Sequence, residues 1–93
     1  MSIQSFKSKD TETLYQSGKT RAFGNITNVV LRKLDMLNAA TVLRDLASPP
    51  GNHLEALSGD RAGQHSIRVN DKWRVCFIWT AAGAQNVEIV DDH

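Results

Sequence analysis

Between Gln64 and Trp79 apolar and polar residues alternate, and the alternation breaks only around Asn70-Asp71. A period of two belongs to an extended strand with one buried face. It predicts strands over about 64–69 and 73–79. They are joined at Asn70-Asp71, residues that tolerate the left-handed backbone of a tight hairpin turn. On the second strand Trp73, Val75, Phe77 and Trp79 share the apolar side, and Arg74, Cys76 and Ile78 point the other way. On the first, Ile67 and Val69 face the core, with Gln64, Ser66 and Arg68 opposite. Arg68 and Arg74 thus fall on one outward face. Ala81-Ala82-Gly83 reads as the next turn, and 86–91 as a last strand with Val87 and Ile89 inward.

Upstream the period lengthens. Ile26, Val30, Leu34 and Leu37 recur at helical spacing, with Asn25 placed to cap the start. The stripe wavers at Asn38 and resumes at Ala39, Leu43 and Leu46, which predicts a break or bend. Ser48-Pro49-Pro50-Gly51-Asn52 ends helical structure. Before these, Ser2 to Phe6 reads as a short edge strand. Asp10 reads as the cap of a brief helix over 11–16, stopped near Gly18, and Lys19 to Gly24 as a basic connector. A strand and helices followed by a three-stranded antiparallel meander predict a two-layer α+β domain over residues 1–93, with the helices on one sheet face and the other left open.

Composition narrows the class. With 41% hydrophobic and 23% charged residues the chain is that of an ordinary globular protein. No apolar run reaches the ~20 residues of a membrane span, and no apolar core of a secretory signal opens the chain. One cysteine forms no internal disulfide, so a cytoplasmic setting is expected. The net charge of +1 is unevenly spread. Residues 1–46 carry +3, residues 53–79 carry +1, and the tail with Glu88, Asp91 and Asp92 carries −3. A basic body with an acidic end suits contact with RNA, with carboxylates near it.

The run Leu57-Ser-Gly-Asp-Arg-Ala-Gly-Gln-His-Ser-Ile-Arg-Val-Asn-Asp-Lys-Trp-Arg-Val-Cys-Phe77, together with Val87-Glu-Ile-Val-Asp-Asp-His93, resembles the HigB branch of the RelE/ParE toxin superfamily. Ile3-Gln-Ser-Phe6, Gly18-Lys-Thr20 and Leu46-Ala-Ser-Pro-Pro-Gly-Asn52 fit the same branch. The resemblance implies a RelE-like fold and the toxin half of a bacterial toxin–antitoxin pair. The implied activity is ribosome-dependent cleavage of mRNA. The implied partners are a HigA-like helix-turn-helix antitoxin, the ribosome and mRNA, with operator DNA reached only through the antitoxin and no membrane.

Such cleavage needs a base for the ribose 2′-hydroxyl, cations for the phosphoryl oxygens and an acid for the leaving 5′-oxygen. No metal or other cofactor is expected, because His53, His65, His93 and Cys76 lack metal-ligand spacing. Arg74 is the candidate phosphate clamp, since its planar fork meets two oxygens at once and it stands at the family's catalytic arginine. His93 is the candidate proton carrier, its reference pKa of about 6.5 suiting work near neutrality. Asp91, Asp92 and Glu55 are further candidates at the catalytic site. Arg61, Arg68, Lys72 and Ser58 are candidate contacts to RNA or ribosome. Three positions depart from the family pattern: Ser58 stands where a lysine is common, Glu55 where a histidine is frequent, and Asp92 where a tyrosine is usual. The competing expectations are an attenuated toxin acting by binding alone and, further off, a gyrase-directed ParE-type toxin, which the Trp73-Arg74 and Asp91-Asp92-His93 patterns oppose.

Overall fold

The computed structural model describes residues 2–18 and 23–91. Two helices, α1 (Lys9–Ser17) and α2 (Thr27–Ala39), precede a four-stranded sheet of β1 (Glu55–Ala56), β2 (His65–Arg68), β3 (Trp73–Thr80) and β4 (Gly83–Asp91). The strands run antiparallel in the order β1-β2-β3-β4. This is the α+β arrangement expected from the sequence, with the two-residue strand β1 added to the expected three-stranded meander. Leu14 of α1 and Val30, Leu34 and Leu37 of α2 are fully buried against Ile67, Val75, Phe77 and Val87 of the sheet. Truncating such a core residue, Leu34→Ala for example, costs about 2–5 kcal/mol.

Several boundaries differ from expectation, each for a local reason. Ser8, not Asp10, caps α1: its extended backbone lets Oγ accept the Thr11 N–H at 3.3 Å. Gly18 ends the helix in the left-handed conformation, φ 75°. Asn25 is not a cap, because a 3-10 turn over Gly24–Ile26 feeds directly into α2, whose N-cap is Ile26 with no side-chain bond. The predicted break falls at Ala40, which turns extended at ψ 134°. The resumed stripe is a 3-10 turn, Leu43–Ala47, which buries Leu46. The Pro-rich segment itself carries a further 3-10 turn, Pro50–Asn52. Of the basic connector, Lys19 to Ala22 lie outside the described residues.

The hairpin between β2 and β3 is looser than a two-residue turn. Arg68 pairs with Arg74, and the Val69 N–H donates to the Trp73 carbonyl at 2.9 Å, leaving a three-residue loop, 70–72. Asn70 shapes it with its side chain: Oδ1 accepts the N–H groups of Lys72 and Trp73 at 2.9 and 2.8 Å. The last strand starts at Gly83, three residues early, and absorbs a bulge. Cys76 pairs with Glu88 but Ile78 with Gln85, and Asn86 takes φ 53°. The bulge keeps Ala84, Val87 and Ile89 all on the core side. The N-terminal segment makes two parallel bridges to β4, Ile3 to Ala84 and Phe6 to Val87, and forms no longer ladder.

Candidate functional site

The outward face of the sheet is built in rows. Glu55, Ser66, Cys76 and Glu88 are successive cross-strand partners, and Arg68, Arg74 and Val90 form the neighbouring row. Alternation along β3 places Arg74 and Cys76 on this face while Val75 and Phe77 fill the core. The face is not open throughout. Ser66 is fully buried, with Arg74 hydrogen-bonded to its hydroxyl, and Cys76 nearly so.

Arg74 is held by Ser66, His53 and Glu55. Its Nε donates to Ser66 Oγ at 2.8 Å, and its Nη2 to the His53 carbonyl at 3.1 Å and Glu55 Oε1 at 2.8 Å. Only 11% of the side chain is exposed, whereas Glu55 is 56% exposed. A guanidinium so fixed loses little rotamer freedom when it meets an anion. Glu55, from the edge strand, is thereby placed as the partner of Arg74.

Arg61 is fixed at the other end of the Glu55–Glu88 row. The 3-10 turn Gly59–Arg61 opens at Ser58, an exposed residue whose carbonyl accepts the Arg61 N–H. Arg61 Nη1 donates to Glu88 Oε1 at 2.8 Å and to Gln64 Oε1 at 3.1 Å. The bond to Glu88 is the main cause raising the Arg61 pKa above its ordinary value, with burial acting against it. Lys7 approaches the same Glu88 oxygen at 3.8 Å. Arg68 pairs with Asp71 on the hairpin. Lys72 lies 3.6 Å from Asp91 and 5.7 Å from the centre of the Trp73 ring. Asp92 and His93 lie outside the described residues.

The structure therefore brings Arg74, Glu55, Arg61 and Arg68 to one face, with Ser58 on the adjoining loop, whereas Asp91 pairs with Trp73 on the side of Val75 and Ile89, with Lys72 beside it at the hairpin end. Sequence reasoning missed three parts of it. The Ser66 hydroxyl was legible as outward-facing, and its register opposite Cys76, beside Arg74, was the signal. Glu88 was legible by strand alternation. The His53 carbonyl left no signal, since a backbone acceptor has no residue type.

A four-stranded sheet with helices on one face and a cluster of fixed arginines on the other is a RelE-like arrangement. The family model for the RelE-like toxin HigB of type II toxin–antitoxin systems matches residues 4–93. The chain belongs to that family. It is similar to Toxin HigB-1 of Vibrio cholerae serotype O1, 40% identical over 90 residues that cover 95% of this chain and 94% of that protein. Endoribonuclease HigB of Proteus vulgaris is 30% identical over 97 residues, 98% of this chain and 99% of that protein. Among solved structures, YafQ from E. coli strain BL21(DE3) shares the fold with a TM-score of 0.57 at 17% identity, covering 97% of this chain and 91% of that one. A type II toxin has a cognate antitoxin, so a restraining protein partner belongs to this assignment. Among the described residues no helix is long and apolar enough to cross a membrane.

Proposed function

We propose that this protein is the toxin of a type II pair that cuts mRNA on the ribosome and so halts translation in the bacterial cytoplasm. The reading rests above all on one observation: an arginine held on the outward sheet face by Ser66, His53 and Glu55. The ribose 2′-oxygen attacks the adjacent phosphorus, its bond to phosphorus forms, and the bond to the 5′-oxygen breaks. Charge gathers on the phosphoryl oxygens, where a planar cation stabilises it. Arg74 supplies that cation. His93 shuttles the proton from the 2′-hydroxyl toward the leaving 5′-oxygen, with Asp91 and Asp92 beside it in sequence. Arg61, Arg68, Lys72 and Ser58 contact the RNA backbone or ribosome. Endoribonuclease HigB of Proteus vulgaris, by its name, supports the reaction class.

Ribosome dependence follows from the scarcity of free charge. Arg61, Arg68, Lys72 and Arg74 each face a carboxylate, and the whole chain carries only +1, so free RNA is weakly captured. The ribosome orients the strand, a service worth up to ~7–11 kcal/mol of barrier. The restraining partner is a HigA-like helix-turn-helix protein, through which operator DNA is reached.

The test compares cleavage of a translated message and of naked RNA by wild type and Arg74→Ala, with circular dichroism on each protein. Wild type cuts the translated message far faster, and Arg74→Ala is folded and inactive. A folded Arg74→Ala protein as active as wild type removes Arg74 from the mechanism. Equal cleavage of naked and translated RNA removes the ribosome from it. Growth arrest on expression, relieved by a neighbouring helix-turn-helix antitoxin, checks the toxin role separately.

A further inference from the structure

Lys33 sits where the apolar stripe of α2 calls for a hydrophobic residue, one step from Leu34 and three from Val30. It is only 9% exposed. Among the described residues its side chain makes one hydrogen bond, Nζ to Asn52 Oδ1 at 2.5 Å. Asn52 is fully buried. Its Nδ2 donates to the carbonyls of Leu46 and Ser48 at 3.1 and 3.4 Å and touches Met36 Sδ at 3.7 Å. One amide thus ties α2 to both ends of the loop between the helical region and the sheet. A buried ammonium is costly, and burial pushes the Lys33 pKa below its ordinary value, with Arg32 adding to the effect.

The anchored loop delivers two acceptors to Arg74. His53, next to Asn52, takes the left-handed conformation, φ 45° and ψ 53°, unusual for a residue with a Cβ. That twist points its carbonyl at Arg74 Nη2, and two residues on Glu55 meets the same nitrogen. We propose that Lys33 and Asn52 are positioning residues for Arg74. Their buried hydrogen bond locks the loop so that the His53 carbonyl and the Glu55 carboxylate hold the guanidinium in place.

The kinetic arm of the test rests on the nuclease reading above, and the spectroscopic arm does not. Lys33→Met removes the donor while keeping an apolar stem of similar length, and Asn52→Ala cuts the same tie from the loop side. In the proton–nitrogen spectrum, the Arg74 Nε–H signal shifts or is lost to solvent exchange in both variants. The backbone amide signals of Val75 and Val87 stay in place. With translated mRNA, saturated turnover falls ~10–100-fold, as a misplacement of about 1 Å allows, while KM changes less than twofold. An unmoved Arg74 signal in either folded variant overturns the proposal. So does loss of the folded state in both, because the tie then serves the core alone. If wild type itself cuts no RNA but the Arg74 signal moves as described, the nuclease reading fails and the positioning role stands.

Discussion

Arg68 and Arg74 stand directly opposite one another across the β2–β3 pair, on the face turned away from the core. Like charges so placed are destabilising by up to ~1 kcal/mol. Asp71 answers Arg68 from the hairpin, and Glu55 answers Arg74 from the sheet edge. The expected consequence is a salt-dependent coupling. Asp71→Asn lowers stability at low ionic strength, the loss shrinks at high salt, and it disappears in an Arg68→Gln background. Urea denaturation of the single and double variants at two salt concentrations checks it; additive effects of the two substitutions would contradict it.

Asp45 contributes to the acid side of the stability curve. Its Oδ2 accepts the backbone N–H groups of Thr41 and Val42 at 2.9 and 3.3 Å, and the Thr41 hydroxyl at 3.1 Å. The Thr41 amide, first among these, holds the carboxyl below its ordinary value of 3.8. The folded protein therefore binds this proton less tightly than the unfolded chain does. The stabilisation is complete above the ordinary value and is lost as pH falls through the lower, folded one. Melting temperature falls less steeply with acid in Asp45→Asn than in wild type. Parallel acid profiles for the two proteins would disprove this.

Gly83 opens β4 at φ 129°, and a Cβ there would run into the Ser2 carbonyl. That carbonyl accepts the Ala84 N–H at 2.6 Å, one of the bonds that lay the N-terminal segment beside β4. Gly83→Ala combines backbone strain of about 1–3 kcal/mol with displacement of that segment. For a chain of this size the melting temperature drops by at least ~4–8 °C. A variant melting with wild type would show that the N-terminal bridges contribute nothing.

The strands and their faces were legible because alternation is a direct record of burial: Ile67, Val69, Val75 and Phe77 read inward and are buried. Arg74 on the outward face followed from the same parity. The strand Glu55–Ala56 was not legible, since two exposed residues carry no period. Asn70 and Asn86 illustrate a second limit. Asparagine serves equally as a side-chain acceptor and as a left-handed residue, and its neighbours in space decide which: Asn70 is the first and Asn86 the second. The third limit is the backbone. Nothing in the residue types announces that the His53 carbonyl reaches Arg74 from 21 positions away.

Glu55 decides how Arg74 is used. Its carboxylate meets Arg74 Nη2 at 2.8 Å, the same guanidinium that the mechanism we propose offers to the scissile phosphate. Two roles compete for it: base for the 2′-hydroxyl, or holder of the arginine. The geometry favours the holder, because Oε1 is turned to the guanidinium and the residue sits on the edge strand opposite Ser66, whose hydroxyl binds the same side chain. Glu55→Gln keeps an acceptor oxygen at this position and removes the charge that competes with phosphate. Turnover on translated mRNA should stay within tenfold of wild type, a change of less than ~1.4 kcal/mol in the barrier. Binding to RNA should tighten, since one carboxylate no longer opposes the phosphate. Cleavage assays paired with RNA titrations of the same protein measure both quantities. A folded Glu55→Gln protein that binds RNA normally but loses turnover by a hundredfold or more would make Glu55 the base, and the holding of Arg74 would then fall to its other acceptors, Ser66 and the His53 carbonyl among them.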